Sequence, residues 1–379
     1  MSNYQYDLPF NIMDVAGILN IRIKRPGRKS IYTDCPFCGD TRGKMNLNLE
    51  KNQFRCNYCG ESGGAIALYA KAHGLSNSVA YREICEILYG NANPREYKSA
   101  AKPKIDLPSN SEIASVYDRN QTYEMMMSML KLTDKHIDDL VKRGLSLEQI
   151  RKNGYRSTPA FGFEQMAKAL QDKGCVVEGI PGFYEKSNGA WTINFKSYCS
   201  GILIPYRTIS GLIQAFQIRL DRPFVDEKGH KTKYIWLSSV DEEKGTSSQS
   251  PAHFVGDPCD EQAVFVTEGA LKADIASALS GRTFIAIAGT GCIDSLKEPF
   301  EIIKRNGVSK VYEALDMDKT ENQYVAKAAC KLTEMIKSFG FKTKKMKWKW
   351  DKSKPEENKG IDDMLSVSYT HLTLPTIYS

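Results

Sequence analysis

Four cysteines in two close pairs constrain this chain more than any other feature. Cys35-Pro36-Phe37-Cys38 and Cys56-Asn57-Tyr58-Cys59 are separated by 17 residues, the pattern C-x2-C-x17-C-x2-C, which lies within zinc-ribbon spacing. Each Cys-x-x-Cys sets two sulfurs on one side of a tight knuckle. Two knuckles complete the tetrahedron that zinc prefers and leave no open position for catalysis. Between them Met45, Leu47 and Leu49 alternate with Asn46 and Asn48, the period of a strand. So small a region lacks a sufficient core of its own, and a structural Zn2+ held by Cys35, Cys38, Cys56 and Cys59 supplies on the order of 10 kcal/mol or more of its folding energy. The remaining cysteines (Cys85, Cys175, Cys199, Cys259, Cys292, Cys330) are scattered singly, as expected of reduced, mostly buried thiols in a reducing compartment.

Length and composition bound the rest. A chain of 379 residues with 41% apolar and 26% charged side chains reads as two or three ordinary globular domains. No apolar run approaches the length that crosses a bilayer, and the start MSNYQYDLPFN has neither the basic opening nor the apolar stretch of a secretory signal. The expected location is the cytoplasm, with no membrane partner. A net charge of +7 is a mild pointer to a polyanion. Beside the knuckles, Arg42, Lys44, Phe54, Arg55 and Tyr58 suit a single-stranded nucleic acid, whose bases stack and whose phosphates pair; Phe54 equally suits a core. The five histidines show no partner spacing and read as surface or packing residues. No Walker-type phosphate loop occurs.

Compositional breaks divide the chain. Residues 1–90 form the zinc-ribbon domain. Residues 91–112 are polar with three prolines and read as a linker. Residues 113–257 form a basic middle subdomain, helical over Ile113–Lys173 and strand-rich over Trp191–Trp236. Within it Thr133 or Asp134 caps a helix that Gly144 stops, and Val240–Pro251 is a polar loop. Residues 258–366 repeat strand then helix, which predicts a parallel sheet covered on both faces. From Ser366 the chain carries no Lys, Arg, Asp or Glu; residues 367–379 are expected to be a non-native tail outside the fold.

Two strand ends in the last domain carry acids. Val264-Phe265-Val266-Thr267 runs into Glu268-Gly269, and Val311-Tyr312-Glu313-Ala314-Leu315 runs into Asp316-Met317-Asp318. Two aspartates flanking one residue fit a solvated turn, or they repel unless a cation lies between them. Carboxyl ends of parallel strands are where ligands collect. Glu268, Asp316 and Asp318 are therefore expected to converge on divalent cations that prefer oxygen donors. The closing run Lys344-Lys-Met-Lys-Trp-Lys-Trp350 reads as a last strand with one buried and one solvated face, the other reading being a basic, aromatic nucleic-acid strip.

The Glu-Gly and Asp-x-Asp motifs together resemble the Toprim domain of bacterial-type primases, type IA and II topoisomerases and some nucleases. Ribbon, basic middle and Toprim, in this order, resemble the bacterial (DnaG-like) primases and their phage or mobile-element relatives. Leu140-VKRGLSLEQIRKNGYRS, Gly201-ILIPYRTISGLIQAFQIRLD, Lys233-Tyr234 and Leu237-Ser238-Ser239 are similar to segments of that family, and the likeness spans roughly Asp34 to Leu365. It implies an α/β multidomain fold: zinc ribbon, helical plus strand-rich middle, and a Rossmann-like Toprim domain with a parallel sheet. It implies a DNA primase, a nucleotidyltransferase making short RNA primers on single-stranded DNA from NTPs, with a replicative helicase as a partner in trans. Glu268, Asp316 and Asp318 would be catalytic ligands of Mg2+ or Mn2+, and Asp362 a further acid. Arg207, Arg219 and Lys233 would face phosphates, with Lys272 counted among them.

The chain departs from that family at several positions. Lys272 stands where the family often has aspartate, with Asp274 two positions on. Lys319-Thr320-Glu321-Asn322 replaces small residues, and Glu313 lies in a strand expected to be buried. These suggest a divergent, mobile-element type. The alternatives are a Toprim nuclease or topoisomerase-like enzyme, or a zinc-ribbon replication accessory with an inactive Toprim.

Overall fold

The computed structural model describes residues 8–27, 29–89, 111–195, 199–225, 231–320, 323–351, 353 and 358–370. These fall into two compact units, one ending at residue 89 and one beginning at residue 111. All of the expected linker except Ser111 and Glu112, and residues 371–379 of the expected tail, lie outside the described residues.

The first unit is an antiparallel meander of β1 (Ile23–Arg25), β2 (Ser30–Thr33), β3 (Met45–Asn48), β4 (Gln53–Cys56) and β5 (Ser62–Gly64), packed with α1 (Ile12–Ile18), α2 (Ala65–His73) and α3 (Asn77–Tyr89). Strand β3 follows from its alternation: Met45 and Leu47 are fully buried while Asn46 and Asn48 are half-buried. Helix α1 begins at a reciprocal cap in which Asn11 and Asp14 satisfy each other's backbone N–H groups, two of the donors a helix start otherwise leaves unpaired.

The second unit opens with α4 (Val116–Met129), α5 (Asp134–Lys142), α6 (Leu147–Asn153), β6 (Arg156–Ser157) and α7 (Phe163–Asp172). As expected, Thr133 is the α5 N-cap, and Gly144 follows that helix at φ 98°, a conformation that disfavours other residues. A hairpin of β7 (Phe183–Glu185) and β8 (Trp191–Ile193) precedes β9 (Gly201–Arg207), β10 (Ile213–Val225) and β11 (Lys231–Trp236). The latter three join β6 in a four-stranded sheet in the order β11-β10-β9-β6.

The final segment comprises β12 (His253–Val255), β13 (Val264–Glu268), α8 (Ala270–Ser280), β14 (Thr283–Ile287), α9 (Lys297–Arg305), β15 (Val311–Glu313), α10 (Gln323–Ser338) and α11 (Ile361–Thr370). Its sheet runs β12-β14-β13-β15, with β13 parallel to both neighbours and β12 antiparallel at the edge. Both faces are covered. Val264, Val266, Ile285 and Ile287 pack against Phe300, Ile303, Leu332 and Ile336 of α9 and α10. Phe265, Phe284 and Ala286 face Ala273 and Ala276 of α8 together with Ile361 and Met364 of α11. Strands buried on both faces are continuously apolar, which is why β13 and β14 lack alternation. Ile202, Ile204 and Tyr206 of β9 share one cluster with Leu271 and Ile275 of α8, so the segments 113–257 and 258–366 meet in a common core.

One expected strand is absent among the described residues. Residues 344–350 pair with the sheet as isolated bridges, such as Glu313 with Lys345. The partner β15 has only three residues, so it cannot carry a ladder along the whole run. The two-faced reading of this run holds: Met346 is buried while Lys345, Lys347 and Lys349 are exposed.

Candidate functional site

The four knuckle cysteines gather as their spacing predicts. Cys35 Sγ lies 3.8 Å from Cys59 Sγ, and Cys38 Sγ 3.9 Å from Cys56 Sγ. All four sulfurs fall within 4.8 Å of one another. A tetrahedron with arms of about 2.3 Å has edges of about 3.8 Å, so this donor set fits Zn2+. Hydrogen bonding from Cys35 brings the Cys56 thiol down to about 5, while burial pushes Cys59 up to about 12. Phe54 is core, with 2% of its surface exposed, and is not a platform for bases. Its ring packs 5.4 Å from Phe37. Arg42 lies over the Tyr58 ring at 4.6 Å and also bonds to Asp40.

The acids come together at the carboxyl edge of the parallel sheet. Register pairs Val266 with Glu313, so Glu268 at the end of β13 and the 3-10 turn Met317–Thr320 after β15 share one edge. Burial, then Asp316 and Asp318, push the Glu268 carboxyl up to about 7 against the pull of Lys272 and Lys359. Burial likewise raises Asp362, in the first turn of α11, to about 6. Asp316 and Asp362 are 5% and 4% exposed. Two buried carboxylate oxygens, Asp318 Oδ1 and Asp362 Oδ1, have no hydrogen-bond partner.

Two lysines enter this cluster. Lys272 Nζ donates to both oxygens of Asp316 at 2.6 Å. Lys359 Nζ lies 2.8 Å from Asp318 Oδ2 and 3.9 Å from Asp316 Oδ2. The Met317 N–H donates to the Lys359 carbonyl at 3.0 Å, which pins the aspartate turn to the segment preceding α11. Among the described residues only the four thiols form a group of three or more potential metal ligands all within 4.8 Å; the acids stand around their lysines.

The other expected residues do not all share this edge. Arg219 Nη1 donates to Asp139 at 2.7 Å, and Tyr234 feels Arg219, Arg143, Lys272 and Asp362 together. Arg207 lies elsewhere, its guanidinium donating to the carbonyls of Gly211 and Asn153. Lys233 is exposed on β11. Asp274 is buried, accepting from Tyr155 and meeting His253 Nε2 at 3.0 Å, while His253 Nδ1 accepts the Arg207 N–H. His136, also buried, bridges Ser157 and Asp221. Both histidines are packing residues with satisfied ring nitrogens.

Sequence reasoning missed Lys359 and the role of Lys319. Glu313, fully buried, pairs with Lys319 at 2.8 Å and accepts the Leu315 N–H at 2.7 Å. Lys319 Nζ also donates to the Met346 carbonyl. This pair brackets the segment that carries Asp316 and Asp318. The signal was present as an acid in a buried strand six residues before a lysine that breaks the family pattern.

Residues 6–99 match the CHC2 zinc finger family, and residues 259–370 match a domain of unknown function, DUF3854. A DNA primase of Lactococcus lactis subsp. lactis (strain IL1403) is 21% identical over 236 residues, covering 60% of this chain and 34% of that protein. A DNA primase of Enterococcus faecalis (strain ATCC 700802 / V583) is 24% identical over 221 residues, covering 55% of this chain and 33% of the relative. The chain is similar to the DnaG-like primases. It spans about a third of the length of these curated relatives. The zinc-binding and RNA polymerase domains of the Aquifex aeolicus primase superpose with a TM-score of 0.46 at 15% identity, covering 94% of this chain and 83% of that one. No helix among the described residues is long and apolar enough to cross a membrane.

Proposed function

We propose that this protein is a DNA primase that joins ribonucleotides into short primers on single-stranded DNA, with residues 258–366 acting as a Toprim domain. The observation that carries the reading is the meeting of Glu268, Asp316, Asp318 and Asp362 at one sheet edge, in a chain whose N-terminal region matches the CHC2 zinc finger. The two buried oxygens without partners, Asp318 Oδ1 and Asp362 Oδ1, are donors of the kind that Mg2+ or Mn2+ takes. When bound, such an ion polarises phosphoryl oxygens and lowers the cost of a 3′-hydroxyl attack.

The chain's own residues supply position and charge. Glu268, Asp316, Asp318 and Asp362 hold the cation edge. Arg219 and Lys233, on the adjoining strands β10 and β11, attract template or nucleotide phosphates, contacts that orient without reading sequence. Arg207 braces the loop after β9 through Gly211 and acts on phosphates through that loop. The ribbon holds template, and a replicative helicase would act in trans. A cytoplasmic location follows from this role.

The test is RNA synthesis on single-stranded DNA with NTPs and Mg2+. Wild type is expected to extend primers and Asp316→Ala to lose that activity by at least about a hundredfold. Strand cleavage in place of synthesis would assign the site to a nuclease. Neither activity in the folded, zinc-loaded wild type would leave a binding accessory.

A further inference from the structure

The lysine-tryptophan run after α10 plays no part in the site described above. Residues 342–349 carry five lysines (Lys342, Lys344, Lys345, Lys347, Lys349) and no acid. All five are exposed, and among the described residues none of them pairs with an acid. Like charges at this density repel one another, and such a patch draws a polyanion.

The fold holds this run and aims it. Lys342 bridges Lys310 and Lys345 bridges Glu313, both in parallel, so the run advances with β15 towards the edge that carries Asp316 and Asp318. The Glu313 N–H donates to the Lys344 carbonyl at 2.9 Å, and the Met346 N–H to the Glu313 carbonyl at 2.8 Å. Met346 and Trp348 pack with Ile361 and Met364, and the Trp348 indole N–H donates to the Asn358 carbonyl at 2.8 Å. With those two turned inwards, Lys345, Lys347 and Lys349 take the opposite side of the extended chain, about 7 Å apart. Lys345 Nζ lies 3.7 Å from Sγ of Cys330, which is exposed on α10. That helix adds exposed Lys327 one turn earlier, and its one acid is Glu334. Asn358 immediately precedes Lys359, whose ammonium is 2.8 Å from Asp318. The row of ammonium groups therefore ends beside the acidic edge.

We propose that Lys345, Lys347 and Lys349 form a track for the phosphodiester backbone of a nucleic acid strand that passes the acidic edge. Carboxylates repel phosphates, and the track supplies the attraction that keeps a strand beside them. Its contacts position the strand and carry no base information. Trp348, tied to Asn358, anchors the track and is not a stacking platform. What the strand is there for rests on the primase reading; that the track binds it does not. A template strand and a primer–template hybrid present the same backbone, and the two are separated by the probe.

The experiment measures fluorescence anisotropy of labelled single-stranded DNA and of a labelled RNA–DNA hybrid, each titrated with the zinc-loaded full chain across a range of salt. The combined variant Lys345→Gln, Lys347→Gln, Lys349→Gln is expected to make the log–log salt slope for single-stranded DNA shallower by about 2 and to weaken binding at 0.1 M salt at least about tenfold. Lys168→Gln, Lys173→Gln, Lys186→Gln removes the same charge from the exposed surface of α7 and the β7–β8 hairpin, and is expected to change neither. Bound strand is also expected to slow modification of Cys330 by a thiol reagent while exposed Cys259 reacts as before. A response with single-stranded DNA alone assigns the track to template, and one with the hybrid alone assigns it to the product. A slope unaltered with both probes, or an equal loss in the control variant, would overturn the proposal. Track-dependent binding in a wild-type chain that makes no primer would uphold the track and overturn the primase reading.

Discussion

Removing Lys319 tests how the turn carrying Asp316 and Asp318 is held. Glu313 is fully buried; its Oε1 has Lys319 at 2.8 Å and the Leu315 N–H at 2.7 Å, and its Oε2 has no partner. Lys319→Met strips the only cation from that carboxylate among the contacts described and leaves the Met346 carbonyl without its ammonium. Breaking a buried pair on one side costs about 3–5 kcal/mol, because the surviving charge is stranded. For a unit of this size, each kcal/mol lowers the melting temperature by roughly 2–4 °C, so a drop on the order of 10 °C is expected in calorimetry. Replacing both partners, Glu313→Met with Lys319→Met, is expected to return within about 1 kcal/mol of wild type, since apolar isosteres avoid the desolvation cost. The single variant is also expected to weaken Mn2+ binding, because the pair brackets Asp316 and Asp318. A single-variant cost below about 1 kcal/mol, or a double variant no better than the single, would refute the reasoning.

Cys56→Ser is expected to unfold the meander by removing on the order of 10 kcal/mol of zinc-linked folding energy, seen as lost amide protection across β3 and β4 with the calorimetric transition of the second unit retained. Glu268→Gln is expected to stabilise the protein at high pH and not at low pH. The folded carboxyl is raised from 4.5 to about 7, so the folded state holds its proton more tightly. Stability is then full below about pH 4.5 and falls as pH rises through 7. Urea melts without added Mg2+ should show a gain of about 3 kcal/mol near pH 8 and none near pH 4.

The thiol centre was legible in the sequence because its ligands come in local pairs, and Cys-x-x-Cys fixes its own geometry whatever surrounds it. Glu268 and the Asp316-Met317-Asp318 turn were legible for a related reason: an acid at the end of an apolar run marks a strand end, and parallel pairing puts such ends on one edge. The aromatic beside the knuckles was not legible, since Phe54 reads alike as platform or core until its burial is known. The final lysine-tryptophan run kept its two faces but not its ladder, because pairing depends on the length of a neighbour that periodicity does not report.

Tertiary structure alone decided what neutralises the acids. Lys272 and Lys359 reach Asp316 and Asp318 from segments 44 residues before and dozens of residues after, and Lys319 turns back on Glu313 beneath the turn. Local sequence carries strand ends, caps and knuckles because those forces act between near neighbours. Charge compensation in a buried site is set by distance through space and by the exclusion of water, which only the packed chain establishes.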